Sequence, residues 1–285
     1  MKFAFKCLLT VTFLLTLSLA ALACSKGSPV NKVKLVEIAL TDESYAFGVD
    51  KNQPELLPKV NELITKIKDD GTFDQIYERY FGGGTPQPVV SAKPDSAKEQ
   101  LVVATNAAFE PFEYMEGDKY LGIDMEVAAL LAEHLGRELV ISNMDFDAVC
   151  LSVGQGKADI AMAGLTVNEN RKEFVAFSDS YHSASQMIIA REDDKAFDGC
   201  KSTAEAEEVL ASLPQTARIG VQTGTTAQFY VEGDEDWQFD GFPVECVGYN
   251  SGALAVQDLL NGNIQYVIID EAPASFIVSA INEYN

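Results

Sequence analysis

Hydrophobic and polar positions change their period several times along the chain. Val33–Leu40 (VKLVEIAL) and Tyr45–Val49 (YAFGV) alternate well enough to predict two strands. Leu56, Leu57, Val60, Leu63, Ile64 and Ile67 then recur at helical spacing between Pro54 and Asp70-Gly71. Phe73, Ile76, Tyr77, Tyr80 and Phe81 mark a second, shorter amphipathic helix. Two strands and two helices with no cysteine pair lie at the edge of what folds alone, so this front segment is expected to need a surface to pack against.

From residue 82 to 100 the periodicity stops. The stretch GGGTPQPVVSAKPDSAKEQ holds a single apolar pair, Val89-Val90, among Gly, Pro, Ser and Lys, and reads as linker. Beyond it strands and helices alternate. Strands are expected at Leu101–Asn106, Glu138–Ser142, Ala158–Leu165 and Ser185–Ala190, with helices at Met125–Leu135, Ala148–Val153 and Asn168–Phe174. A second series runs helix Thr203–Leu213, strand Arg218–Gln222, helix Thr225–Tyr230, strand Val244–Tyr249, helix Ala253–Leu260, strand Ile264–Asp270 and helix Glu271–Ile281. This alternation predicts two parallel-sheet α/β units, in which ligands sit beyond the carboxyl ends of the strands.

Charge and address narrow the function. Of 285 residues, 43 are Asp or Glu and 21 are Lys or Arg, a net charge of -22 that argues against nucleic acid as a partner. Lys2 and Lys6 precede an apolar run from Cys7 to Ala23, a pattern that reads as an export signal over residues 1–24. Ala21-Leu22-Ala23-Cys24 resembles a bacterial lipoprotein box, which implies lipidation at Cys24, a tether over 25–32 and a lipid-anchored chain in the periplasm or on the cell surface. Ala21 stands where such boxes usually carry Leu, so simple cleavage or an uncleaved anchor remain alternatives. In that oxidising compartment Cys200 and Cys246, which share one half of the chain, are expected to pair, while Cys150 in a helical pattern is expected as a buried thiol. His134 and His182 are too few and too scattered for a metal centre, and no cofactor is expected.

The strand ends carry the candidate chemistry. Asn106 closes the first strand after the linker, Thr166 and Arg171 follow the third, Thr225 and Thr226 follow Gln222, and Asp270 ends the last. Taken singly, Arg171 and Asp270 are ordinary surface charges. Together they suit a free amino acid: a guanidinium and helix N-terminal amides for its carboxylate, a carboxylate for its ammonium, and Phe109 and Phe146 as apolar walls. The loop GVQTGTT lacks the Lys of a phosphate-binding loop, and neither histidine has a nucleophile beside it.

The segments LVVATNAAFEPFEY, MDFDAV, DIAMAGLTVNENR, FSDSY, GVQTGTT and IIDEAP, in this order from Leu101 to Asn285, resemble the periplasmic amino-acid-binding proteins of ABC importers, such as the glutamine- and histidine-binding proteins. The resemblance implies a two-lobed periplasmic-binding-protein fold of type II and an importer permease as partner. It implies that Arg171 binds the ligand carboxylate, assisted by Thr166 and by main-chain amides near Thr225 and Thr226. It likewise implies that Asp270 binds the ammonium with the main chain at Ala163 and Gly164, that Phe109 and Phe146 wall the site, and that Asn106 and Gln222 stand at positions that vary with the ligand side chain. Two amides there favour a polar uncharged amino acid.

The order of these segments departs from the family. Leu40–Tyr45 resembles a returning hinge, and Asp70–Tyr77 with Tyr80-Phe81-Gly82 resembles a closing segment, both of which family members carry at the other end. This implies a circular permutation, with one lobe over 41–190 containing the 82–100 linker, and another made of 191–285 plus 33–40. A linker of about nineteen residues spans roughly 25 Å, enough for such a join. A monomer is expected, with a dimer that swaps the front segment as the alternative. Among enzymes, cyclohexadienyl dehydratases resemble these binders; that reading needs an acid-base group such as Glu110 or Glu113. A sensory ligand-binding lipoprotein is the third reading.

Overall fold

The computed structural model describes residues 32–235 and 238–284. The expected export signal, Cys24 and the tether as far as residue 31 lie outside the described residues.

The chain runs β1 (Val33–Val36), β2 (Glu43–Tyr45), β3 (Gly48–Asp50), α1 (Leu56–Asp69), α2 (Thr72–Phe81), β4 (Gln100–Thr105), β5 (Ala108–Phe109), β6 (Glu113–Glu116), β7 (Lys119–Leu121) and α3 (Ile123–Leu135). It continues through β8 (Glu138–Asn143), α4 (Phe146–Gly154), β9 (Ile160–Ala161), α5 (Glu169–Lys172), β10 (Val175–Phe177), β11 (His182–Ala184) and β12 (Gln186–Arg191). The remainder is α6 (Thr203–Ala211), β13 (Arg218–Gln222), α7 (Thr226–Glu232), β14 (Glu245–Tyr249), α8 (Gly252–Leu260), β15 (Tyr266–Asp270) and α9 (Glu271–Tyr284).

Two five-stranded sheets organise these elements, in the orders β1-β12-β15-β13-β14 and β10-β3-β9-β4-β8. Both are mixed rather than purely parallel. β13 runs parallel to β14 and β15, and β4 parallel to β8 and β9, whereas β12 meets β15 and β3 meets β9 antiparallel. The antiparallel strands adjoin the crossings. The chain leaves the first sheet after β1 and reaches the second at β3, then returns from β10 to β12. Between them β2 and β11 pair antiparallel, Tyr45 opposite His182 and Glu43 opposite Ala184. Residues 186–190 therefore belong to the sheet of β1 and β15, and the second crossing falls at β11, earlier than the expected boundary at Ala190. Sequence pattern alone merges the two because β12 is buried at every position but Arg191 and reads as one apolar run.

The front segment packs on its own chain. Leu56, Val60, Leu63, Ile64 and Ile67 of α1 and Phe73, Ile76 and Tyr80 of α2 join one hydrophobic cluster with Ile123, Val127 and Leu131 of α3. Burying the five α1 side chains is worth a gross gain of roughly 10 kcal/mol. α1 ends at Asp70, and Gly71, with φ +78°, turns the chain into α2.

The stretch 82–99 is irregular but tied down. Val89 is buried and donates its amide to Tyr120 O (2.8 Å), while Val90 faces solvent. β8 is the edge strand of its sheet, and the stretch covers that edge: Ala92 N donates to Leu139 O (2.8 Å), and Ile141 N donates to Ser91 Oγ (2.9 Å). Gln87 N donates to Glu126 Oε1 (3.3 Å), which also accepts from Tyr80 OH (2.7 Å), while Glu126 pairs with Arg79. The expected free linker is thus a strap. A sequence of Gly, Pro and polar residues hides this because its partners are backbone groups of other strands.

Cys150, Cys200 and Cys246 are free thiols. The expected Cys200–Cys246 bond is not formed: the Cys246 thiol lies against the Glu232 carboxylate and is pushed up to about 12, first by burial and then by that charge.

Replacing Glu126 with Ala leaves the Arg79 guanidinium, the Tyr80 hydroxyl and the Gln87 amide without their shared acceptor. A loss of about 3 kcal/mol is expected from the midpoint of urea unfolding.

Candidate functional site

The carboxyl ends of the parallel strands of both sheets face each other, and the two sheets touch there through side chains. Asn106, after β4, accepts at Oδ1 from Gln222 Nε2 at the end of β13 (2.8 Å) and donates from Nδ2 to Met144 O (2.7 Å). Gln222 Nε2 also reaches Asn250 O (3.3 Å), and Asn250 Nδ2 reaches Asp145 Oδ1 (3.4 Å). Gly224, at φ +78°, lies so close to Asp147 that an added Cβ would stand 2.9 Å from the Asp147 Cβ.

Arg171 is placed by a short helix. Asn168 caps α5 by accepting from Arg171 N (2.8 Å), which turns the Arg171 side chain back toward the strand ends. Nη1 donates to Thr166 O (2.8 Å), Nη2 donates across to Gly224 O (3.2 Å), and the guanidinium carbon stands 5.1 Å from the Phe146 ring centroid. The group is buried, and among the described residues no carboxylate forms an ion pair with it. Burial draws its pKa down, against the pull of the nearby Cys150, Asp270 and Glu43.

Asp270 ends β15 and is 5% exposed. Its Oδ1 accepts from Tyr45 OH (2.5 Å), and burial, followed by the charge of Glu43, raises its pKa to about 7 against the hydrogen bonds from Tyr45 and Gln186. Tyr45 comes from the crossing strand β2, and so does Glu43, which accepts from Thr166 Oγ1 (2.6 Å), Gln186 Nε2 (3.0 Å) and Thr41 Oγ1 (2.5 Å). The Thr166 hydroxyl therefore spends its proton on Glu43, and it is the Thr166 carbonyl that steadies Arg171.

Phe109 borders the same space: an added Cβ on Gly164 (φ +53°) would stand 2.9 Å from Phe109 Cε1 and 3.4 Å from Tyr45 Cε2, so only glycine fits. Gly164 N donates to Asp124 Oδ2 (3.0 Å) and Tyr181 OH to Asp124 Oδ1 (2.7 Å). Thr225 Oγ1 donates to Gln222 O (2.7 Å). Thr226 Oγ1 and Gln222 Oε1 are buried without a hydrogen-bond partner. Ala163 is buried in the small cluster of β9, β4 and α4. Ten of the eleven residues singled out from sequence thus form two connected runs or flank them: Phe109, Gly164 and Asp270 joined through Tyr45, and Phe146, Arg171 and Thr166 joined to the loop of Gln222, Thr225 and Thr226, which touches Asn106. Ala163 shares no polar contact with either run.

Sequence reasoning missed Glu43 and Tyr45. Their signal is present: in Glu43-Ser44-Tyr45 the period of a strand puts both side chains on one face, whereas the sequence pattern starts a strand only at Tyr45 and the resemblance makes Leu40–Tyr45 a hinge. It also missed the burial of Glu113 and Asp124. Glu113 is fully buried beside Asp124, and burial first, then the charge of Asp124, raise its pKa well above normal. Glu110 is exposed. His182, beside Tyr45, Tyr77 and Phe112, is drawn down to about 4 by burial. Among the described residues no group of three His, Cys, Asp or Glu is placed to hold a metal ion.

Residues 11–83 and 101–266 match the model of the bacterial extracellular solute-binding proteins, family 3, and the chain belongs to that family. It is 37% identical over 99 residues to the arginine-binding extracellular protein ArtP of Bacillus subtilis, covering 35% of this chain and 39% of that protein. It is 29% identical over 180 residues to ABC transporter arginine-binding protein 1 of Escherichia coli, covering 62% of this chain and 65% of that one. The histidine-binding periplasmic protein of Salmonella typhimurium is 27% identical over 179 residues, or 62% and 63% of the two chains. The chain thus spans less than two thirds of the length of these curated relatives. Among solved structures, holo ArgBP from T. maritima superposes with a TM-score of 0.53 at 32% identity over 64% of this chain and 74% of that one. The ancestral amino-acid-binding protein AncCDT-1, a precursor of cyclohexadienyl dehydratase, does so with a TM-score of 0.54 at 26% identity over 73% and 78%.

Asp124 gives this region a pH signature. Burial raises its folded pKa from 3.8 to about 7, so the folded state holds a proton that the unfolded chain has released. The stability it contributes is present at low pH and is lost as pH rises from about 4 through 7. In thermal melts Asp124→Asn is expected to be further below wild type at pH 5 than at pH 8, the gap narrowing by about 2 kcal/mol.

Proposed function

We propose that this protein captures a free amino acid between its two sheets and delivers it to the permease of an ABC importer. One observation carries the reading: a buried guanidinium and a buried carboxylate, Arg171 and Asp270, face one interface, and neither takes part in an ion pair among the described residues. Keeping an unpaired ion out of water costs several kcal/mol, and the two ends of a zwitterion relieve both. Arg171 takes the α-carboxylate with main-chain amides near Thr225 and Thr226, and Asp270 takes the ammonium with main-chain oxygens at Ala163 and Gly164. Phe109 and Phe146 enclose the side chain. Relatives named for binding arginine and histidine support the ligand class and favour binding over catalysis.

At the far end Gln222 Oε1 is a buried acceptor without a partner, so the ligand side chain donates a hydrogen bond there. Asn106 and Gln222 bring no charge, which favours an uncharged amide such as that of glutamine over a guanidinium. The sheets close as lobes about the crossings β2 and β11. The circular permutation fits the sheet order: β1 completes the sheet of β12 and β15, and α1 and α2 reach the α3 surface ahead of the strap. On this reading one lobe runs from β2 to β11 and the other from β12 onward plus β1. Cys24 anchors the chain by lipid to the outer face of a membrane, the tether enters the lobe of β1, and the protein acts as a monomer.

Calorimetric titration with the twenty amino acids tests the class; no heat of binding from any of them would end it, and tighter binding of arginine than glutamine would reverse the finer choice. Arg171→Ala is expected to weaken the best ligand by at least about a hundredfold with the fold intact by circular dichroism. Unchanged affinity would remove Arg171 from the site.

A further inference from the structure

Tyr45 connects the two charged groups of the site through the crossing strand. It is fully buried on the crossing strand β2, packs edge-on against Phe112 at 5.1 Å and tilts against His182 at 5.3 Å. Its phenol donates to Asp270 Oδ1 (2.5 Å). Its main chain forms an antiparallel bridge with Thr166, whose carbonyl holds Arg171, and its carbonyl accepts from Tyr181 N (2.9 Å). One residue of the crossing strand thus touches the group on each side: the carboxylate through its side chain, the guanidinium through one peptide. A Phe here would keep the packing and lose only the bond to Asp270.

We infer that Tyr45 is a positioning residue, whose hydroxyl keeps the Asp270 carboxylate ionised and aimed into the interface so that the crossing strand and the ammonium grip move as one. The inference rests on the amino-acid-binding reading for its consequence, but its physical content concerns Asp270 alone. The charged and titratable groups around Asp270 come from several elements. Glu43 on β2 and Glu113 on β6 oppose its ionisation, as burial does; Arg171 on α5 favours it; neutral His182 on β11 and Glu271 on α9 line the same cavity of about 380 Å³ beside the crossing. Gln186 on β12 supplies the other side-chain hydrogen bond. Against two nearby carboxylates and burial stand two side-chain donors, the Asp270 main-chain amide and one guanidinium. Removing the phenolic donor removes one of these few supports, which raises the Asp270 midpoint.

The decisive measurement needs no ligand. In full-length protein carrying carboxyl-labelled aspartate, the Asp270 carbon resonance, assigned by its loss in Asp270→Asn, is titrated from pH 4 to 10. In Tyr45→Phe the midpoint is expected to rise by roughly one unit. Tyr181→Phe serves as the control, because Tyr181 is equally buried but donates to Asp124, and it should leave the Asp270 midpoint in place. Should Tyr45→Phe fail to fold, 3,5-difluorotyrosine at position 45, a stronger donor, should lower the midpoint. An unmoved midpoint, or an equal shift in Tyr181→Phe, overturns the inference. L-glutamine and L-arginine isotherms then read the consequence: with a midpoint moved from about 7 to about 8, affinity for whichever binds falls roughly tenfold at pH 6 and less than about twofold at pH 9. A loss equal at both pH values would show that Tyr45 acts by packing and overturn the inference. If neither amino acid binds the wild type, the ligand assignment fails, while the Asp270 titration still decides the role of Tyr45.

Discussion

The antiparallel pair β2 and β11 is the constraint on which the rest of the molecule depends. Each strand is three residues long, and each carries the chain from one five-stranded sheet to the other. Their pairing fixes how the sheets meet, so that the carboxyl ends of β4 and β9 face those of β13 and β15. Without it Asn106 has no Gln222, Arg171 no Gly224 carbonyl, and Asp270 no Tyr45. The site is therefore a property of the crossing as much as of the sheets that line it.

A second constraint is electrostatic. Glu43, Glu113, Asp124 and Asp270 are all buried near the crossing, with Arg171 as the buried cation among them. Glu43 is satisfied by three side-chain donors and Asp124 by a main-chain amide and a phenol, while Glu113 lies against Asp124. Desolvation raises the affinity of Glu113, Asp124 and Asp270 for protons, and hydrogen bonds to Asp124 and Asp270 work against it. Such a cluster sacrifices stability for a polar interior, and it sits where the chain crosses between the two sheets.

The strap shows how local composition misleads. Its glycines and prolines announce a linker, yet it seals the exposed edge of β8 and shares Glu126 with α2. Only the Val89-Val90 pair hinted at this, one buried and one exposed as on a strand. The join between α2 and β4 thus adds structure to the sheet it spans.

By itself the sequence determined the alternation of strands and helices, the amphipathic faces of α1 and α2, and the residue types at the strand ends, because each follows from local period and from what a zwitterion demands. It also pointed to Arg171, Asp270, Phe109 and Phe146 as a set suited to a zwitterion, and resemblance then gave each a role. Only the tertiary structure decided where the second crossing falls, that both sheets are mixed, that Cys246 faces Glu232 rather than Cys200, and that Glu43 and Tyr45 complete the site. The site and the crossing are facts of pairing between segments more than a hundred residues apart, such as Tyr45 with Asp270 and Thr166 with Glu43. A local pattern records which face of a strand is buried, but the partner it meets there is chosen by the packing of the whole chain.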